Sequence, residues 1–293
     1  MSIAEQYTII KKLGDQNRRK FGETYLVENK TSGLKNILKM AKKRQGKEHL
    51  EERLRQESNF HFEFEGLPEV SDFNESKTEL LLVRPFISGV QLDYYWKSLK
   101  RRDRIPFLIQ VIEQLTKIFN HLSEHQIVHC DIKPSNIIIE NRKNTIVVHL
   151  IDFGLAIDRK NIIRRSTLFP LGYAPPEILL NQLDLVDQRS DIFALGIMIW
   201  RLYSDKLPLA HPNPSIFTNL QLTHPLPRHE SISEDLYLIL NKMSNKYQFK
   251  VPPNKIDLNI VRQNLSEAMD QRYATLSEVM SEIRQLKKKR FFI

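Results

Sequence analysis

The sequence lacks the features that mark secreted and membrane-spanning proteins. Its one cysteine, Cys130, cannot form a disulfide within the chain, which agrees with a reducing compartment. The longest apolar runs, such as 192–200, are far shorter than the roughly 18 residues that a membrane-spanning helix needs. Residues 1–6 lack the basic and then apolar pattern of a secretory signal. These absences predict a cytoplasmic protein without a transmembrane segment.

Basic residues are in excess, and the net charge is +9. Such a charge could favour binding to nucleic acid or to an acidic membrane surface. Aromatic residues do not interleave with the basic clusters, as they do in proteins that bind single strands. We therefore interpret the clusters as solvated side chains on a protein that handles a polyanionic nucleotide, and we do not expect a nucleic-acid partner. The clusters lie at 42–44, 100–104, 159–165 and 287–290.

The first part of the chain has the pattern of short strands with one helix. Residues of high strand propensity, separated by polar turns, predict strands at 7–13, 24–28, 36–40 and 79–84. The charged segment 47–62 contains neither glycine nor proline and predicts an exposed helix.

The pattern changes after about Gly89. Apolar residues recur at helical spacing over 105–122, and two strand-like runs at 136–140 and 145–151 flank a polar turn, which is typical of a hairpin. Helical patterns return from Asp187 and end with a helix over 275–289. The order predicts an α+β protein with a small β-rich lobe before a larger, mainly helical lobe. A crevice between two such lobes would be a natural ligand site.

Two segments carry the chemistry, HCDIKPSN at 129–136 and DFG at 152–154. Phosphoryl transfer needs a carboxylate that accepts the proton of the attacking hydroxyl, a cation that neutralises phosphate charge, and oxygen ligands for Mg²⁺. Asp131 suits the first role and Lys133 the second, while Asn136 and Asp152 supply oxygens from the two sides of the hairpin. Any one of these residues could be a turn that caps a strand, but the whole set in this order favours catalysis.

These segments resemble the catalytic and metal-binding motifs of the protein kinase family, and the resemblance extends over almost the whole chain. It implies a two-lobed kinase fold that uses ATP and Mg²⁺. Gly14 and Gly22 would then flank the loop over the nucleotide phosphates. Lys39 would bind the α- and β-phosphates, and Glu57 is the preferred partner of Lys39. Two other acids of the same helix, Glu51 and Glu52, are alternatives to Glu57.

The resemblance also implies where adenine binds. The carbonyl of Pro85 and the N–H of Ile87 would bond the base, and Arg84 would guard the back of the pocket. A charge is unusual there, so we expect Arg84 to pair with Glu57 or another acid. The chain would be one kinase domain, with an N-lobe at about 1–86, a hinge at about 85–89 and a C-lobe at about 90–293.

Features of the second half match the family as well. By the resemblance, Glu177 at the end of the activation segment would pair with Arg272, and Asp191 would brace the catalytic loop. The resemblance also implies, from Lys133, that the acceptor would be serine or threonine rather than tyrosine.

Three departures from the family pattern affect the prediction. The glycine loop lacks its middle glycine, so phosphate binding would use the side chains of 18–20. Cys130 replaces an arginine that in many relatives pairs with a phosphorylated activation loop, so we expect activity without that phosphorylation. We interpret Cys130 itself as a buried apolar residue. Pro170 replaces a threonine near the catalytic aspartate, and Thr167 is the candidate to compensate.

The sequence therefore predicts an ATP- and Mg²⁺-dependent serine/threonine protein kinase. Its partners would be protein substrates, and basic residues near the activation segment indicate acidic ones. The oligomeric state is not predicted. Two alternatives stay open: a pseudokinase that acts as a nucleotide-binding or scaffold module, and an enzyme that acts on a small hydroxylated molecule.

Overall fold

The computed structural model describes residues 3–14, 22–143, 145–162, 169 and 171–289. The chain divides into two compact units. The first unit contains the described residues of 1–90 and 138–156, and the second contains those of 91–137, 157–164 and 168–293. The first is built on a β-sheet and the second is mainly helical, which confirms the predicted α+β class.

The strands are short, as the sequence predicts. They are β1 (Tyr7–Leu13), β2 (Glu23–Asn29), β3 (Lys35–Lys42), β4 (Asp72–Glu75), β5 (Glu79–Pro85), β6 (Val90–Gln91), β7 (Ile127–Val128), β8 (Ile137–Arg142), β9 (Thr145–Leu150) and β10 (Ile157–Asp158).

The α-helices belong mostly to the second unit. They are α1 (Ile3–Gln6), α2 (Glu48–Ser58), α3 (Leu92–Ser98), α4 (Arg104–Glu124), α5 (Pro176–Leu179), α6 (Gln188–Ser204), α7 (Pro214–Thr223), α8 (Glu234–Met243), α9 (Leu258–Asp270) and α10 (Leu276–Lys289). Short 3₁₀ turns lie at Arg101–Asp103, Pro134–Asn136, Leu183–Leu185 and Pro253–Lys255.

The first unit contains a five-stranded antiparallel sheet in the order β1-β2-β3-β5-β4. Alternate residues of a strand face opposite sides of a sheet, so Leu80 and Leu82 of β5 face one side. They form an apolar cluster with Leu50 and Leu54 of α2. Lys39 of β3 pairs with Leu82 and therefore points to the same side, toward α2.

The helix predicted over 47–62 ends earlier, at Ser58. The backbone N–H of Asn59 bonds to carbonyls of the last turn, and the chain then leaves the helix. Phe60 and Phe62 turn instead onto the ring of Phe153, with ring-centroid distances of 5.7 and 4.7 Å. Burial of the two rings against Phe153 outweighs the local helical pattern.

The core of the second unit is formed by long helices. α4 packs against α10, and α6 packs against α8. α6 begins at Gln188, and the side chain of the preceding residue, Asp187, accepts the N–H of Arg189 as an N-cap. Most of its residues are buried, which fits its apolar sequence. Among the residues that the structure describes, no helix is long and apolar enough to cross a bilayer.

Candidate active site

Lys39 and Glu57 lie together in the first unit. The Lys39 ammonium donates to Oε1 of Glu57 at 2.9 Å and to Oε2 at 2.7 Å. The Glu57 side chain is 3% exposed. The alternative acid Glu51 lies instead 4.0 Å from Arg55 on the same helix. The position of Glu57 on the buried side of α2, facing β3, explains why it reaches Lys39.

Glu57 also has a second cationic partner. Arg84 Nε donates to Oε1 of Glu57 at 2.9 Å, and both residues are buried. This contact confirms the expectation that the charge at position 84 is paired with an acid. One carboxylate is therefore shared by two cations from neighbouring strands.

Asp152 joins the same group of charges. Its Oδ1 lies 3.4 Å from the Lys39 ammonium, and its Oδ2 lies 3.5 Å from Nη2 of Arg53. The next residue, Phe153, is fully buried, which fixes the segment in the first unit. Sequence reasoning missed Arg53, although it precedes Glu57 by four residues and therefore lies on the same face of α2.

The charges around Lys39 keep it protonated. Burial disfavours its charged form, but the carboxylates of Asp152 and Glu57 outweigh that cost, so the pKa of Lys39 is raised above its ordinary value. Lys39, Arg53, Glu57 and Asp152 all line one small pocket in the first unit. Such a pocket offers fixed cations to an anionic ligand.

The two glycines of the predicted phosphate loop have different environments. Both have positive φ, 85° at Gly14 and 81° at Gly22. A Cβ at Gly14 would meet nothing within 4 Å, whereas a Cβ at Gly22 would lie 2.7 Å from the carbonyl oxygen of Met40. Gly22 is therefore required by the close approach of β2 to β3, and Gly14 by its backbone conformation alone.

The predicted hinge residues lie at the end of β5 and beyond it. Phe86 donates its N–H to Lys35 O at 3.1 Å, toward β3. Backbone groups of alternate strand residues point to opposite edges, so the Pro85 carbonyl is directed to the other edge. The register of β4 along that edge ends at Val83, before Pro85. Ile87 follows, half-buried, after β5 has ended.

In the second unit, Asp131 is held by two neighbours. Lys133 Nζ lies 2.9 and 2.7 Å from the two carboxylate oxygens. Asn136 Nδ2 donates to Asp131 Oδ2 at 3.0 Å and to the Asp131 carbonyl at 2.9 Å. The Asp131 side chain is 1% exposed. Three of the predicted catalytic and metal-binding residues are therefore in direct contact.

The side chain of Asp191 fixes the backbone that precedes Asp131. Its two carboxylate oxygens accept the N–H groups of His129 and Cys130, each at 2.8 Å, which confirms the predicted brace. Burial raises the pKa of the Asp191 carboxyl to about 7, although these two hydrogen bonds lower it. Cys130 has a φ of 61° and lies buried in an apolar cluster with Val128, as expected for an apolar role.

Glu177 and Arg272 form the pair that the sequence predicts. Arg272 donates to both carboxylate oxygens, at 2.6 and 3.0 Å, and Ser190 Oγ donates to Oε1 at 2.8 Å. Arg272 Nε bonds in addition to the carbonyl of Asn245. The pair ties α5 to the segment between α9 and α10.

Some predicted features fall outside the described residues. They are the loop side chains at 18–20, Pro170, and Thr167 as the candidate to compensate for Pro170.

Comparison with known proteins identifies the fold. The protein kinase domain family matches residues 7–255. The chain belongs to the protein kinase domain family. This confirms the resemblance on which the assignment of the site residues depends, while the role of each residue stays a prediction.

Relatives of this kinase domain include proteins named as kinases, some of them as serine/threonine-protein kinases, and their identity to the chain is low. A protein of Acanthamoeba polyphaga mimivirus named as a serine/threonine-protein kinase is 30% identical over 170 residues, which are 56% of this chain and 57% of that protein. Aurora kinase C of Mus musculus is 23% identical over 259 residues, 86% of this chain and 84% of that protein. The carbon catabolite-derepressing protein kinase of Candida glabrata is 24% identical over 312 aligned positions, 94% of this chain and 48% of that protein. The match thus spans about half the length of two of these three relatives.

Proposed function

We propose that the chain is an ATP- and Mg²⁺-dependent kinase that transfers the γ-phosphoryl group to serine or threonine hydroxyls of proteins. The observation that carries the proposal is the arrangement around Asp131. Its buried carboxylate contacts Lys133 and Asn136 directly. A carboxylate fixed in this way is suited to accept a proton from a hydroxyl, and the neighbouring ammonium is suited to neutralise charge that develops on the phosphoryl oxygens.

The nucleotide-binding role falls to the first unit. Lys39 would bind phosphate oxygens, and Glu57 would orient Lys39 through their ion pair. Gly14 and Gly22 would flank the phosphate loop. The carbonyl of Pro85 and the N–H of Ile87 would bond adenine, and the exposed position of Pro85 at the end of β5 supports this role.

The residues present fit a magnesium ion. Mg²⁺ prefers oxygen ligands and is usually held by one or two carboxylates together with substrate phosphates. Asn136 uses its Nδ2 group for Asp131, so its Oδ1 is the atom that would ligate a cation. Asp152 would supply carboxylate oxygens, since its side chain is 24% exposed despite its basic neighbours. When bound, the ion would neutralise negative charge on the phosphates.

The organisation and setting of the enzyme follow from the same resemblance. We propose an N-lobe at about 1–86, a hinge at about 85–89 and a C-lobe at about 90–293. We propose protein substrates with acidic character, because a cluster of basic residues at 159–165 lies within the activation segment at 152–177. A cytoplasmic location agrees with the single cysteine.

The experiment is transfer of radiolabelled phosphate from γ-labelled ATP to generic protein substrates, with MgCl₂ or with EDTA. The proposal predicts label on serine or threonine that requires Mg²⁺. ATP binding without transfer to any protein, including the chain itself, would support a binding or scaffold module instead. Transfer to a small hydroxylated compound in preference to proteins would contradict the assignment of the substrate.

A further inference from the structure

Arg84 occupies a position that the pattern of its strand assigns to an apolar residue. Leu80 and Leu82 are fully buried on the side of β5 that faces α2. The next residue on that side is Arg84, which is 5% exposed. A buried guanidinium costs free energy unless its charge and its N–H groups are paired. The partners of Arg84 therefore indicate its role.

The contacts of Arg84 converge on one residue of α2. Nε donates to Oε1 of Glu57 at 2.9 Å, and Nη2 donates to the backbone carbonyl of Glu57 at 2.7 Å. Nη1 donates to the carbonyl of Pro68 at 3.0 Å, in the segment that follows the helix. The planar guanidinium thus bonds both the side chain and the backbone of Glu57, which fixes the rotamer of Glu57 and the last turn of α2 together.

The same carboxylate serves Lys39. Its Oε1 accepts from both Lys39 and Arg84, each at 2.9 Å, and its Oε2 accepts from Lys39 at 2.7 Å. Arg84 neutralises part of the negative charge of Glu57. Glu57 therefore neutralises less of the positive charge of Lys39. Lys39 is therefore positioned by Glu57 and still able to attract an anionic ligand.

We propose that Arg84 is a positioning residue that fixes Glu57 and the end of α2 so that Lys39 is presented to the nucleotide phosphates. The proposal depends on the proposed kinase function, because its effect on activity passes through the role of Lys39. Its effect on α2 concerns the first unit alone and can be measured without any turnover.

The activity test is a double-mutant cycle on kcat/KM for ATP. Arg84→Met fills the apolar row and removes all three hydrogen bonds. We expect a fall of about 10-fold to 100-fold, by analogy with the range found for groups that orient metal ligands. Arg84→Lys keeps the charge without the planar fork, so its kcat/KM should lie between those of the wild type and Arg84→Met.

The cycle is completed in a Glu57→Gln background. There, Arg84→Met should change kcat/KM by less than about threefold, since residues that act as a unit are not additive. An unchanged kcat/KM in Arg84→Met, or equal fold losses in both backgrounds, would overturn the proposal.

The structural test is amide hydrogen exchange in α2 (Glu48–Ser58), with the amides of β2 as an internal reference for global unfolding. Arg84→Met should speed exchange in the last turn of α2 by about 10-fold or more relative to β2. The matched control is Arg142→Met, which removes an exposed arginine of the same unit that pairs with Glu65 and Glu140. The control should leave α2 unchanged.

The activity test and the exchange test together distinguish a failure of the proposed kinase function from a failure of the proposed role of Arg84. A wild-type chain without transfer activity would contradict the proposed function, and the exchange experiment would still decide whether Arg84 fixes α2. Wild-type transfer combined with unchanged α2 exchange in Arg84→Met would overturn the role of Arg84 and leave the kinase function intact.

Discussion

Arg272 and Glu177 form a two-point ion pair that is closed to solvent, with N–O distances of 2.6 and 3.0 Å. Their side chains are 1% and 0% exposed. A charge buried in this way is costly when its partner is removed, because no water replaces the lost contacts.

The first prediction concerns stability at this pair. Arg272→Met or Glu177→Gln should lower the free energy of unfolding by about 3–5 kcal/mol, since each leaves one buried ionic group without its main partner. The measurement is urea unfolding. Arg284→Met is the control, because Arg284 and Glu113 form an exposed pair at 3.0 Å, and its loss should cost no more than about 1 kcal/mol. Similar costs for the two pairs would contradict the importance given to burial.

The second prediction separates the two loop glycines. Gly22→Ala should cost about 2–4 kcal/mol of stability, because a Cβ there adds a clash with Met40 O to an unfavourable positive φ. Gly14→Ala should cost about 1–2 kcal/mol, from φ alone. Thermal or urea unfolding of both variants gives the comparison. A cost at Gly14 as large as the cost at Gly22 would count against the packing argument.

The third prediction concerns pH and Asp191. Its carboxyl has a pKa of about 7 in the folded chain, above the ordinary value of 3.8. Between about pH 4 and pH 7, the folded state therefore keeps a proton on Asp191 that the unfolded state has lost. The contribution of this proton to stability is full below about pH 4 and disappears as the pH rises through 7. The difference in unfolding free energy between the wild type and Asp191→Asn should fall by roughly 2–3 kcal/mol from pH 5 to pH 8.

Urea unfolding of both proteins across this pH range provides the measurement. Two parallel profiles would show that Asp191 is ionised throughout, and that its hydrogen bonds to His129 and Cys130 outweigh its burial.

The fourth prediction concerns Asp152 and magnesium. Asp152→Asn should abolish the gain in ATP affinity that Mg²⁺ provides. The affinity for ATP in the presence of Mg²⁺ should therefore fall by at least about 10-fold, which is the cost found even for residues that only support a metal ligand. Calorimetric titration of ATP with and without MgCl₂ measures the gain. Asp72→Asn on β4 is the matched control in the same unit and should bind as the wild type does. A gain that survives in Asp152→Asn would exclude Asp152 as a ligand.

Much of the fold could be predicted because its signals are local. The bounds of β1 match the prediction, and the helix predicted to end at 289 does so. The sequence did not predict β4, because Asp72–Glu75 contains two acids and an asparagine, which are rare in strands. This strand forms through its antiparallel pairing with β5. The early end of α2 also depends on a distant residue, Phe153.

The site shows the same division. Motif spacing was sufficient to name Asp131, Lys133 and Asn136, which the structure brings together. The contact of Arg53 with Asp152 could not be read from the sequence, because the two residues are 99 positions apart and no motif links them. The double use of Glu57 by Lys39 and Arg84 likewise depends on the packing of α2 against the sheet.

The most direct test of the account is the rate of phosphate transfer from labelled ATP by the wild type and by Asp131→Asn. If Asp131 accepts the proton of the attacking hydroxyl, the variant should transfer label about 10²–10⁴ times more slowly. Its affinity for ATP with Mg²⁺ should remain that of the wild type, because Asp131 is not assigned to nucleotide binding. Transfer at the wild-type rate by Asp131→Asn would contradict the account.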